Sequence, residues 1–417
     1  MVALLRSRAL ASYLAAYGLA QVAAHFSFVA LSILVYDRTR EPLAVAAVML
    51  CGEVVPALLA APLVAAIDRR PARLTVSLTY AAEALAYALF AGLLLTGADG
   101  NTLVALACAV TFVEGLCSLT ARPLLRTALV IGASERGLAR EVNALMNVVM
   151  TTALAVAPLL AGMILVATST VFAIWVVVGL LALGTVVVVA SPSLRTSDGQ
   201  VGGRGRAAGS RLRDSVRFIR RDAPQTGRLL IAQSLAMLCF MMVAPVEVVL
   251  VREEFGGAEI LGALLTTWGL GAAASGLMYA RWPHLRLRPL IVGSTALLAV
   301  GFAVMGVAPN SIVLCLGALL CGIGNGVQWV GFISLLQSGL PDAMQARVVA
   351  LAESAASIAP AIGFLLGGAI ASTSARGAMI AAAALTLLAA LALARATAPI
   401  AGPRSASEHL AVDANAV

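Results

Sequence analysis

Long apolar runs separated by short charged or Gly/Pro breaks account for nearly the whole chain. The runs fall at about 9–36, 43–67, 74–96, 101–121, 141–166, 169–191, 227–251, 259–280, 288–307, 310–337, 344–371 and 375–396. Each is near the length, about 20 residues, that carries a helix across the hydrocarbon of a bilayer. The breaks between them are compact. Asp37-Arg38-Thr39-Arg40-Glu41-Pro42 closes the first run, Gly97-Ala98-Asp99-Gly100-Asn101 the third, and Ala308-Pro309-Asn310 makes a tight turn between two others. The pattern predicts an all-α membrane protein with twelve spans. Twelve spans of about 24 residues would use about 288 positions, which leaves loops and tails but no sizeable soluble domain. The first run is too long for the apolar core of a cleaved signal peptide, so none is expected.

Composition agrees with this pattern. Of 417 residues, 61% are hydrophobic and 12% charged, and the mean hydropathy is +0.98. Soluble domains hold about 45–50% apolar and about 25% charged residues. All 28 basic residues are Arg. With the N-terminus placed inside, 24 of them fall in inner segments, and the outer loops hold only Arg38, Arg40, Arg252 and Arg376. Arginine resists translocation against the membrane potential, so both termini are expected in the cytoplasm of a bacterial-type plasma membrane. The net charge of +8 is thereby read as topology, with the lipid bilayer and not nucleic acid as the partner. The cysteines Cys51, Cys108, Cys117, Cys239, Cys315 and Cys321 lie in apolar runs without CxxC or Cys/His metal spacing, and are read as packing thiols; no metal site is expected.

One connection is long. It opens with the Gly/Arg-rich stretch Gly199–Arg206 and continues through Leu212–Arg221, where Leu212, Val216 and Ile219 form one apolar stripe on an arginine-rich segment. That stripe predicts a short amphipathic helix on the inner membrane face. The expected organisation is a six-span half at 1–194, a linker at 195–226, a second six-span half at 227–397 and a disordered tail at 398–417. The halves echo each other: Asn143-Ala144-Leu145 and Gln345-Ala346-Arg347 are 202 residues apart, as are Ala157-Pro158 and Ala359-Pro360. A tandem six-span repeat suits a rocking transporter.

Three segments carry a resemblance. Between spans 2 and 3 stands Asp68-Arg69-Arg70-Pro71-Ala72-Arg73; span 4 closes on Ala121-Arg122-Pro123-Leu124-Leu125-Arg126; span 5 contains Ala157-Pro158-Leu159-Leu160-Ala161-Gly162. With the six-plus-six layout and basic central loop, these resemble the major facilitator superfamily. The first is similar to its loop 2–3 signature, with Val64 and Pro71 where the family has Gly. The third is similar to its exporter motif, with Ala157 and Ala161 in place of two glycines. The arrangement looks most like the enterobactin and macrolide exporter branch. The resemblance implies the major facilitator fold, twelve transmembrane helices in two six-helix repeats. It also implies a cytoplasmic gate in which Asp68, between Arg69, Arg73 and Arg122, closes the inner face against the helix that begins near Asp342. Arg69 and Arg70 have a second reading as inner-face anchors. Pro158, Gly162, Pro360 and Gly363 read equally as close helix packing, and the two readings are compatible.

Ionisable groups inside the hydrocarbon are costly and default to functional hypotheses. The acids are Glu53, Glu83, Glu114, Glu247 and Glu353, joined by His25. In the resembled fold spans 1, 4, 7 and 10 line the cavity, which puts Glu114 first as a proton-coupling group and Glu53, near Pro56, second. A carboxyl group in an apolar setting favours its neutral form and can take and release a proton near neutrality. His25 has two readings, a pH switch or a hydrogen-bonded structural histidine. Glu247 lies near the outer end, in the cavity or simply hydrated. Glu353 reads equally as a hydrogen-bond acceptor between helices, and Glu83, on a peripheral span, has no assigned role.

The remaining cavity candidates are Gln21, Gln233, Asn325, Gln328 and Trp329. Few polar anchors on much apolar surface suit a bulky amphipathic substrate better than a sugar or an ion. Gly322-Ile323-Gly324-Asn325-Gly326 lies inside an apolar span without a P-loop Lys and reads as helix packing. No Walker A, HExxH or GxSxG motif is present. The expectation is a transporter and not an enzyme, monomeric and without cofactor. It would export a small amphipathic molecule of drug, macrolide or siderophore type in exchange for protons. The alternatives are a facilitator or importer on the same fold and a transport-inactive sensor.

Overall fold

The computed structural model describes residues 7–67, 71–97, 99–192, 217, 219, 221, 223–281, 286–338 and 342–397. Among them are twelve long helices: α1 Arg8–Thr39, α2 Pro42–Ile67, α3 Ala72–Leu94, α4 Gly100–Ser134, α5 Ala139–Ala167, α6 Thr170–Ala190, α7 Pro224–Leu250, α8 Ala258–Arg281, α9 Leu287–Gly306, α10 Ser311–Ser338, α11 Asp342–Ala371 and α12 Ala375–Ala396. A single π turn, Val251–Phe255, follows α7. Eleven of the helices have a described stretch long and apolar enough to span a bilayer; in α11 that stretch is the shorter Ala359–Ala371. Large apolar side chains point outward around the bundle, among them Leu85, Leu89, Val186, Ile231, Leu277, Ile312 and Leu388. In water such a surface would drive aggregation, whereas against lipid it is the matched solvent. The chain is a multi-pass membrane protein.

The halves pack by the same rule. In the first, α1 meets α5 and α6, α2 meets α4, and α3 meets α4 and α6; in the second, α7 meets α11 and α12, α8 meets α10, and α9 meets α10 and α12. Between halves, α5 lies on α8 and α11 on α2, which is again one contact and its repeat-related copy. Buried side chains form one large cluster that joins both halves, around Val35, Val45, Leu250 and Leu261. Toward the opposite end the core splits in two, around Tyr13, Leu125 and Met146 in one half and Leu229, Phe332 and Leu393 in the other. The bundle is shut at the joined end, where α1 closes and α7 ends; toward the other end the described buried residues form a separate cluster in each half.

Two expectations on extent change. Arg122-Pro123 reads as the inner end of span 4, but α4 runs through it to Ser134. The reason is a second apolar stripe: Leu125, Leu129 and Ala133 are buried against the first half's own core, and this outweighs the one helical bond that a proline removes. The predicted end of span 7 runs into a π turn, whose side chains tie the joined end, as described next. Of the linker's apolar stripe, Ile219 is buried in the second half's core, while Leu212 and Val216 lie outside the described residues.

Candidate functional site: a carboxyl-lined cavity in the first half

Two glycines build the site. A methyl group on Gly115 of α4 would come within 2.0 Å of the Gly52 carbonyl oxygen and 2.5 Å of Pro56 Cγ, so α2 and α4 meet backbone to backbone. Their chain neighbours Glu53 and Glu114 are thereby set on one wall. They border a cavity of about 340 Å³ with His25, Ser32, Thr111, Ser118 and Arg122, and its apolar lining includes Phe28, Leu31, Met49 and Leu119. Glu53 is exposed to this space and Glu114 half-buried. Glu114 accepts hydrogen bonds on both oxygens, from Ser27 Oγ of α1 at 3.0 Å and from Tyr87 OH of α3 at 2.5 Å. Ser27 and Tyr87 are essentially inaccessible to solvent. Glu83, one turn from Tyr87, is buried and within electrostatic reach of Glu114 and Arg122.

The structure thus brings together Glu53, Glu114, His25 and Arg122, and adds Ser27, Tyr87 and Glu83, to which the sequence alone assigns no role. A signal existed: Tyr80, Glu83 and Tyr87 share one face of α3 at i, i+3, i+7, a polar stripe with no place on a lipid-facing helix. Asp68 and Arg69 lie outside the described residues, as do the side chains of Glu353 and of Gln345 to Arg347. Arg73 donates to the Val189 carbonyl of α6. Gln21 is buried with Oε1 unpaired.

The second half answers with amides. Gln233 of α7 and Gln328 of α10 bond reciprocally, Nε2 to Oε1 at 3.3 and 2.9 Å. Asn325 is half-buried, and Trp329 stacks at a tilt on Phe332 with centroids 5.7 Å apart. Glu247 is half-buried near Cys321. The glycine cluster of α10 packs helices: methyl groups on Gly322 and Gly326 would strike the Trp268 and Ala272 carbonyls of α8 at 2.0 and 2.4 Å, and one on Gly324 the Ser294 carbonyl of α9 at 2.7 Å. The two proline motifs differ in target. Gly162 abuts the Ala258 carbonyl of the opposite half, while Gly363 abuts the Leu238 carbonyl of its own half. Among the described residues no cluster of His, Cys, Asp and Glu could hold a metal ion.

The shut end is tied by the π turn. Arg252 forms a two-pronged ion pair with Asp37 of α1, at 2.8 Å from Nε to Oδ1 and 2.7 Å from Nη2 to Oδ2. Glu253 accepts from Tyr36 OH at 2.6 Å, and Glu254 pairs with Arg376 of α12 at 3.1 Å. Three successive residues of the π turn therefore grip two helices, α1 and α12.

Residues 229–413 match the family model described as Major Facilitator Superfamily. No curated protein sequence matches the chain. Crystal structures of the nucleoside transporter NupG and of a bacterial homologue of the iron transporter ferroportin superpose with TM-scores of 0.71 and 0.73, at 10% and 15% identity. They cover 93% and 94% of this chain, and 99% of each of those chains is covered in turn. An auto-inhibited POT family peptide transporter gives 0.69 at 15% identity over 96% of this chain and 98% of its own. At such identities the likeness is one of fold: the chain has the major facilitator fold.

Proposed function

We propose that the whole chain is a secondary active transporter of the major facilitator superfamily, of the enterobactin and macrolide exporter type. In this reading it exports a small amphipathic molecule by alternating access in exchange for protons. The observation that carries the reading is Glu114: a carboxyl group within the bundle, facing a largely apolar cavity and held by hydroxyls from two other helices. The phenyl and aliphatic walls take the apolar body of a substrate, and Glu53, His25 and Arg122 supply its few polar contacts. Glu114 is the principal proton carrier and Glu53 the second.

Alternating access needs a seal on each side. On the shut side, the Asp37–Arg252 pair and the close packing of Gly162 against α8 are the candidates. On the other side, Asp68 with Arg69, Arg73 and Arg122 forms the gate, in a monomer with both termini cytoplasmic. Export distinguishes this reading from uptake. A panel of toxic amphipathic compounds against a pump-deficient host should show raised tolerance with the native chain and none with Glu114→Gln or Asp68→Asn at equal membrane abundance. Raised susceptibility instead would reverse the direction, and no change with any compound would leave the sensor reading standing.

A further inference from the structure

The Ser27 hydroxyl has one hydrogen and, beside the Tyr87 hydroxyl, two carbonyl-type acceptors within reach: Glu114 Oε1 at 3.0 Å and the Ala24 carbonyl at 2.9 Å. It cannot serve both at once. An ionised carboxylate only accepts hydrogen bonds, whereas a protonated one must also donate. Ser27 suits both conditions. Turned toward Glu114, it donates to the carboxylate; turned toward Ala24, its lone pairs face Glu114 and accept the acid proton. Tyr87 differs, because its own hydrogen goes to Glu114 Oε2; Ser27 is a second partner of the same hydroxyl, so the three groups form one cluster. Its ring is wholly buried on α3, so this grip is fixed from behind the cavity.

We propose that Ser27 and Tyr87 form a two-state clamp on Glu114, in which Tyr87 positions the carboxyl group and Ser27 reverses its hydrogen bond when Glu114 gains or loses a proton. This rests on the reading of Glu114 as the proton carrier and deepens it. The clamp joins α1, α3 and α4, so a proton at one carboxyl group rewrites the bond between α4 and α1 while leaving that to α3 in place. No covalent bond changes apart from the O–H of Glu114: one proton arrives, and the Ser27 hydrogen rotates from Oε1 to Ala24 O. The ionisable groups that bear on Glu114 are Arg122 and Cys117 on its own helix, His25 on α1, Glu53 on α2, and Glu83 and Tyr87 on α3. Helix α5, which also packs on α4, has its ionisable residues, Arg140 and Glu141, in its first turn.

The test needs only protons as the ligand. The full chain in lipid nanodiscs is titrated while infrared difference spectra follow the carbonyl stretch of protonated carboxyl groups, in the native protein and in Glu114→Gln, Tyr87→Phe and Ser27→Ala. The native titrating band should vanish in Glu114→Gln. Tyr87→Phe should move it to higher frequency, because the carbonyl loses a donor, and both hydroxyl variants should displace its midpoint by about half a pH unit or more, the difference expected between a hydrogen bond to the charged carboxylate and a weaker one to the neutral acid. If Glu114→Gln removes the band but both hydroxyl variants titrate as native, the clamp is wrong while the proton reading stands. If Glu114→Gln leaves the band intact, the proton reading falls and the clamp with it. Should Tyr87→Phe fail to fold, Ser27→Ala decides by the midpoint alone.

Discussion

The two halves share a packing plan but not a chemistry. Helices α2 and α4 meet at Gly52 and Gly115 as α8 and α10 meet at Trp268 and Gly322, with carbonyl oxygens 2.0 Å from where a methyl group would stand in both cases. Beside the first contact stand carboxyl groups, Glu53 and Glu114. In the second half the corresponding polar centre is the neutral pair Gln233–Gln328, closed on itself. Backbone approach constrains both copies, since any Cβ there meets main chain, whereas the polar residues facing the interior are free to differ. At its centre one half offers groups that can change charge, and the other a fixed polar tie, its carboxyl group Glu247 standing further along α7 near Cys321.

That contrast predicts the largest effect. Glu114→Gln puts a neutral amide beside the first glycine contact, as the second half has at its centre, and pH-driven efflux should fall to background while substrate counterflow, which moves no net proton, persists. Gln328→Glu, the reverse exchange, should not create a second coupling site. Proton uptake measured with substrate flux in proteoliposomes checks both. If Glu114→Gln keeps its dependence on the pH gradient and Glu53→Gln loses it, the coupling role moves to α2.

If packing is the shared part, damage to it should be alike in the two halves. Gly115→Ala and Gly322→Ala should each lower stability by about 1–3 kcal/mol, because main-chain oxygen cannot step aside as a flexible side chain can. Gly92→Ala, with nothing within 4 Å of its Cβ, should be neutral or slightly stabilising. Unfolding midpoints in detergent separate these cases. A large loss at Gly115 with none at Gly322 would break the equivalence of the halves.

The helices and their twelvefold count were legible because hydrocarbon demands about 20 apolar residues per span, a signal no other fold imitates. The cavity acids were legible for the same reason, since a carboxyl group in such a run stands out. What could not be read was partnership. Ser27 is inconspicuous in an apolar stretch and Tyr87 is marked only as part of a polar stripe on α3; only the crossing of α1, α3 and α4 turns them toward Glu114. The extent of α4 past Pro123 was hidden because a proline reads locally as a stop, while the burial that overrides it comes from helices distant in sequence. The π turn was equally hidden: Arg252-Glu253-Glu254 reads as a hydrated loop until the partners on α1 and α12 are in place.

A smaller effect is expected where the halves touch. The Asp37–Arg252 pair crosses between them with side chains 33% and 20% exposed, so its contribution is screened and about 1 kcal/mol or less. Asp37→Arg should favour opening of the shut end, raising labelling of a cysteine introduced near Leu31 by a membrane-impermeant thiol reagent. Adding Arg252→Asp should restore protection. Failure of the double exchange to rescue would assign the effect to local packing and not to the pair.

The smallest effect tests the contrast at the starts of α4 and α10. Asp99 caps α4, its carboxylate accepting from the Thr102 hydroxyl at 2.5 Å and from the Thr102 amide at 3.4 Å; Asn310 caps α10 by accepting from the Val313 amide at 3.0 Å. Charge stands in the first half and an amide in the second, as at the centre of the bundle. The Thr102 hydroxyl and amide hold the Asp99 carboxyl below the ordinary aspartate range. A group held down in this way adds stability above its unfolded value, about 3.9, and loses it as pH falls through the lower folded value. Amide hydrogen exchange in the first turn of α4 should therefore quicken under acid conditions relative to α10, whose cap has no titrating group. Asp99→Asn should remove the difference in pH dependence, leaving the two helix starts to respond alike. Equal acid sensitivity of both starts in the native chain would place its origin elsewhere than in the cap.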